Sequence, residues 1–171
     1  MTSPLVYNKT MNWNLITNII VALALVLLSL MVLLGFFEWY KRKSLKKVDK
    51  ELLYLPLPFA LLGIVYIVFE KLIILNTRPN GSGEPSFPST HTMVAATILF
   101  IAIAILPKYI KNQKLRLILD AVMLILVFLM ALGRVLANML WVVDVLGGVA
   151  FALIFTWAYC YALKRGERTH E

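Results

Sequence analysis

The chain has 171 residues, 61% hydrophobic and 15% charged. That length fits one domain, here 1–171, and that composition lies far outside the soluble range, so the sequence reads as an integral membrane protein. Its net charge of +8 is gathered into short clusters between apolar stretches, which excludes a nucleic-acid partner and fits the flanks of membrane spans.

Five apolar stretches approach or exceed the roughly 20 residues that cross a bilayer as helix. The first, 15–37, has no small-residue cleavage site and runs into Lys41, Arg42, Lys43, Lys46, Lys47 and Lys50, so it reads as a retained anchor. The second is 52–75. A Pro- and Gly-rich loop at 79–88 separates it from the third, 91–106, as such breaker clusters do. Lys108, Lys111, Lys114 and Arg116 then precede the fourth, 117–133, and Lys164, Arg165 and Arg168 follow the fifth, 141–163. The third and fourth are short by count and are expected to borrow flanking residues. Trp13, Trp39, Tyr40 and Trp141 stand at span ends, where amphipathic rings prefer the interface. The expected fold is an all-α, polytopic transmembrane bundle.

Alternating five spans puts the thirteen clustered basic residues on one side. By the positive-inside rule that side is cytoplasmic, with the N-terminus outside and the C-terminus inside, in a plasma or cytoplasmic membrane. Lys71, Arg78 and Arg134 then fall on the outer side. So do the 76–91 loop and the 133–144 turn, two segments far apart in sequence that converge on one extracytoplasmic surface. The sequons Asn8-Lys9-Thr10 and Asn80-Gly81-Ser82 are also placed outside. The single Cys160 allows no intrachain disulfide.

Three cations on an outer membrane face are costly unless they meet anions. Guanidinium groups match phosphate oxygens bidentately, and a lysine supplies a point charge. Ser89 or Thr90 stands where a helix N-cap belongs. The first turn beyond it offers unpaired N–H groups that seat an anion, with His91 on that turn. Each residue also has a plainer reading. Lys71 and Arg78 can snorkel, with Glu70 beside Lys71, and Ser89 can be only a cap. His91 can be a hydrogen-bonded helix-end residue. Arg134 can pair with Asp144, and Arg116 with Asp120 one turn on.

Taken together, the spacing Lys71-x6-Arg78-Pro79, then Pro88-Ser89-Thr90-His91, then Arg134-x5-Leu140-x3-Asp144 resembles the three-part signature of the type 2 phosphatidic acid phosphatase (PAP2) superfamily, over about residues 64–150. The resemblance implies that Lys71, Arg78, Ser89, Thr90 and Arg134 bind phosphoryl oxygens and that His91 donates a proton to the leaving oxygen. It also implies that Asp144 orients a nucleophilic histidine four residues earlier, on one helical face. That histidine is Leu140 here, and leucine can accept neither a phosphoryl group nor a proton. Gly133 stands in place of the family's usual serine, Thr90 in place of glycine, and Val142 and Val143 in place of proline and a small polar residue. The membrane branch usually has six spans, and the absent one here is N-terminal.

The expectation is a PAP2-like membrane protein that recognises a lipid-linked phosphate or diphosphate, of the polyprenyl diphosphate or phosphatidate class, at the extracytoplasmic face. Hydrolysis by the histidine route is expected to be impaired. Two alternatives stand beside it: an active lipid phosphatase working through His91, and an inactive structural subunit of a membrane complex. The expected partners are the bilayer, a lipid phosphate and, for the structural reading, another membrane protein or a second copy. No cofactor or metal is expected.

Overall fold

A computed structural model describes residues 4–43, 48–73 and 75–168, with the side chains of 4–11, 42, 70, 167 and 168 left aside. Lys46, Lys47 and His170 lie outside the described residues, as do the side chains of the first sequon and of Glu70. The described elements are helices α1 (Pro4–Arg42), α2 (Lys50–Leu53), α3 (Pro56–Ile67) ending in a π-helical turn (Val68–Leu72), α4 (Thr90–Tyr109), α5 (Gln113–Leu136) and α6 (Val142–Arg168). Five segments are long and apolar enough to cross a membrane: Asn12–Lys41, Lys50–Ile67, Thr90–Tyr109, Gln113–Leu136 and Val142–Gly166. The all-helical bundle agrees with the sequence. At 1.5 Å per residue, α1 runs for roughly 58 Å, well beyond a bilayer core of about 30 Å.

The second span departs most from expectation. A turn at Tyr54 and Leu55 divides it, and Pro56 opens α3 at a first-turn position where its missing N–H costs nothing. Its other end stops short of 75, because Ile73 is extended at φ −127° and ψ 95° after donating to the Val68 carbonyl at 2.8 Å. The segment leading to Arg78 is therefore loop.

α4 is the central post, packed against α1, α3, α5 and α6. Met93, Ala95, Ala96, Ile98, Leu99, Ile101 and Ala102 are buried along it. Its alanines, with Ala24 of α1 and Ala152 of α6 also buried, let backbones approach as membrane helices require. The outer faces carry exposed Leu23, Leu33 and Phe37 on α1 and Leu124 and Phe128 on α5, a surface suited to lipid and not to water.

Two helix ends are built by specific bonds. α5 closes in a Schellman motif: Asn138 takes a left-handed φ of 55°, its amide donates to the Val135 carbonyl at 2.9 Å, and the Met139 amide reaches back to the Arg134 carbonyl at 3.3 Å. α6 opens with Trp141 as its cap, since the Val145 amide donates to the Trp141 carbonyl at 3.3 Å. Leu140 thus lies in the turn before α6. The expectation that Leu140 and Asp144 share one helical face is corrected by this geometry.

The far end of the bundle is a polar lock. Lys108 pairs with Asp49 at 2.9 Å and with Glu51. Tyr109 donates to Asp49 at 3.2 Å, and Lys50 Nζ donates to the Gly166 carbonyl at 2.8 Å. Asp120 Oδ1 is buried without a hydrogen-bond partner among the described residues, so the expected pairing with Arg116 does not supply one.

Candidate functional site

The site is built around the first turn of α4. Ser89 caps that helix: its Oγ accepts from the Thr92 amide at 3.3 Å and donates to Thr92 Oγ1 at 2.8 Å, and both residues are buried. The Ser89 amide donates to the Asp144 carbonyl at 2.9 Å, which fixes the start of α4 against the start of α6. The two helices touch because Gly148 has no side chain; a Cβ there would come within 2.8 Å of the Ser89 carbonyl oxygen.

Arg78 enters from the loop. A bridge between Thr77 and Pro85, with Gly81 and Gly83 at φ 77° and 72°, closes that loop into a tight return that a residue with a Cβ would resist. Arg78 pairs with Glu84 at 2.9 Å and remains partly exposed. Trp141 pins the loop to the bundle by donating from Nε1 to the Thr77 carbonyl at 2.9 Å. Arg134 comes from the last turn of α5. It is 6% exposed, donates from one terminal nitrogen to Asn14 Oδ1 at 3.4 Å, and has a buried Nε with no hydrogen-bond partner among the described residues.

These groups surround a cavity of about 270 Å³ lined by Arg78, Ser89, Thr90, His91, Arg134 and Leu140, among others. Two guanidinium groups and a helix N-terminus face one space, which suits an oxyanion. Among the described residues no three His, Cys, Asp or Glu side chains gather as a metal site would need.

Comparison with known proteins follows the same geometry. The family model described as the PAP2 superfamily matches residues 59–167. The chain belongs to the PAP2 superfamily. Its fold is similar, at a TM-score of 0.68 and 23% identity, to the crystal structure of the first transmembrane PAP2 type phosphatidylglycerolphosphate phosphatase from Bacillus subtilis; the match covers 96% of this chain and 80% of that one. No curated protein sequence matches.

For this PAP2 chain the structure brings together six of the eight residues singled out from sequence. Lys71 is apart: it is exposed on the π-helical turn and does not line the cavity. Asp144 is also outside the lining. It is fully buried, its Oδ1 accepts from Asn76 Nδ2 at 3.3 Å, and its Oδ2 accepts from the Trp141 amide at 3.0 Å. The latter is half of a capping box. Arg134 and Asp144 do not pair, because each is held by an asparagine from a different segment. Asn14, Asn18 and Ser86, which also line the cavity, were missed from sequence. Asparagines one turn apart at the head of an apolar run were the available signal for the first two.

Proposed function

We propose that this PAP2-superfamily membrane protein binds the phosphate or diphosphate group of a membrane lipid in the cavity between Arg78, Arg134 and the start of α4. The observation that carries the reading is the Arg134 Nε, a buried cationic donor with no partner among the described residues, on a residue that lines one cavity with the capped first turn of α4. Such a group is expensive to leave unmet and cheap to pair with a phosphoryl oxygen. The lipid ends in a phosphate or diphosphate, as those of the phosphatidate and polyprenyl diphosphate class do. It is met at the extracytoplasmic face, a reading supported by the cavity and the Lys108 lock lying at opposite ends of α4.

Hydrolysis through the family's histidine nucleophile does not operate in this proposal, since the side chain that lines the cavity at that point is Leu140. A second reading has one observation in its favour: His91 lines the same cavity. Its imidazole could attack phosphorus directly, the N–P bond forming as the P–O bond to the lipid breaks and the leaving oxygen takes a proton from water, or take the proton of an attacking water. Purified protein titrated with phosphatidate and polyprenyl phosphate, beside Arg134→Ala, tests binding. Equal affinity of the variant and the parent would remove the site. A phosphate-release assay of the parent beside His91→Ala separates the two readings.

A further inference from the structure

The cavity has a neutral side beside its cationic one. Asn14 and Asn18 stand one helical turn apart on α1 and line it, and α1 lies ahead of the residues that the PAP2 model matches, 59–167. Asn14 Oδ1 accepts from Arg134, which leaves the two amide donors of Asn14 uncommitted among the described residues. Asn18 is exposed at the cavity and makes no side-chain hydrogen bond among the described residues. Ser86 comes from the loop, is 4% exposed and also lines the cavity, and its Oγ is buried with no partner among the described residues. Buried hydroxyls in folded proteins are nearly always hydrogen-bonded.

Carboxamides and a hydroxyl offer donors and acceptors together, without charge. Their N–H and O–H groups can serve an oxyanion beside Arg78 and Arg134, but their oxygens cannot, because an oxyanion has no proton to give them. Their chemical complement is a group that also both donates and accepts. Resting on the phosphate reading above, we infer that Asn14, Asn18 and Ser86 form a subsite for the hydroxyl groups of a phosphate ester, so that the lipid headgroup taken by this chain carries alcohol functions beside its phosphate. A ligand hydroxyl placed there would give the Ser86 hydroxyl the partner it lacks among the described residues, a gain that an unbranched hydrocarbon does not bring.

The test compares two probes of nearly equal size, glycerol 1-phosphate and propyl phosphate, titrated into the full chain in detergent. The parent is expected to bind glycerol 1-phosphate about tenfold more tightly, the worth of one or two neutral hydrogen bonds. Asn18→Leu and Ser86→Ala should each shrink that ratio, and together bring it close to one, with propyl phosphate affinity unchanged. Arg134→Ala should weaken both probes alike. A parent ratio near one, with both probes bound, overturns the hydroxyl subsite and leaves the phosphate site standing. So does a ratio that survives the double variant. Failure of both probes to bind overturns the phosphate site and the subsite with it.

Discussion

Asn76 donates from Nδ2 to Oδ1 of Asp144 at 3.3 Å, joining the loop that carries Arg78 to the helix that follows Leu140. The second carboxylate oxygen takes the Trp141 amide, and the Asp144 carbonyl takes the amide of Ser89. One fully buried residue thereby joins three segments that each carry residues lining the cavity. A carboxylate placed there must be hydrogen-bonded or it would destabilise the fold. Both of its oxygens are occupied without a histidine.

Asp144→Ala is expected to lower stability by about 1–3 kcal/mol, the cost of leaving the Trp141 amide unmet together with the lost cap. Asn76→Ala should cost less, because Asn76 is exposed and its partner keeps the other bond. Thermal unfolding in one detergent, followed by circular dichroism, ranks the two. An Asp144→Ala variant as stable as the parent would show that the junction is ornamental.

The resemblance expects serine where this chain has Gly133, and α1 leaves little room for a side chain there. A Cβ at 133 would lie 2.6 Å from Thr17 Cγ2 and 3.3 Å from a Trp13 ring carbon. Thr17 is fully buried and β-branched, so it cannot swing aside cheaply. Gly133→Ser is expected to destabilise by about 1–3 kcal/mol through overpacking. Thr17→Ser, which removes the clashing methyl, should recover much of that loss when combined with it. Additive effects of the two changes would refute the contact.

The five spans were legible because 20-residue apolar runs and basic flanks are long-range signals that local detail hardly disturbs. Six of the residues around the cavity were legible too, since Ser89 at a cap and Arg78 and Arg134 close to span ends are odd choices in lipid. What the chain did not disclose depended on tertiary partners. Nothing around Asp144 in sequence says that Asn76 and the Trp141 amide will claim its oxygens. Lys71 was matched by spacing, yet spacing does not fix which way a π-helical turn presents its side chains. Asn14 and Asn18 were passed over because they sit at the head of a run read as lipid anchor, and only the packing of α1 against α5 turns them inward.

The topology is checked by single cysteines at Thr2, Ser44 and Arg168 in a Cys160→Ala background. An impermeant thiol reagent added to intact cells should label position 2 and spare positions 44 and 168, as the basic clusters dictate. Labelling at 44 would invert the chain and move the cavity to the cytoplasmic side.

Loss of either arginine should weaken phosphate binding by about 2–5 kcal/mol, as truncating one member of a buried, hydrogen-bonded charge pair does. Arg134→Ala should be the more damaging. It is the more deeply buried, whereas Arg78 already shares its charge with Glu84. Titration with polyprenyl phosphate measures both, and Glu84→Gln should tighten binding by releasing Arg78. Unchanged affinity in both arginine variants would leave the cavity structural, and the chain a subunit and not a receptor.

Leu140→His is the most demanding test, because it asks whether only the nucleophile is absent. The parent is expected to release little or no phosphate from phosphatidate or polyprenyl diphosphate, since leucine supplies no lone pair. The new imidazole would enter a cavity that already presents His91, Arg78 and Arg134, so some hydrolysis should appear. It should be weak: Leu140 sits in a turn, Asp144 is committed to Asn76 and Trp141, and a misplacement of about 1 Å costs on the order of 100-fold in rate. Adding Asn76→Ala frees Oδ1 of Asp144 and should raise the rate of the Leu140→His protein without touching its phosphate affinity. His91→Ala in that background should abolish turnover by removing the acid. Robust hydrolysis by the unmodified chain, lost on His91→Ala, would instead establish a single-histidine enzyme. Silence from every variant, with phosphate still bound, would show that the drift at Gly133, Val142 and Val143 has closed the catalytic route and left recognition alone.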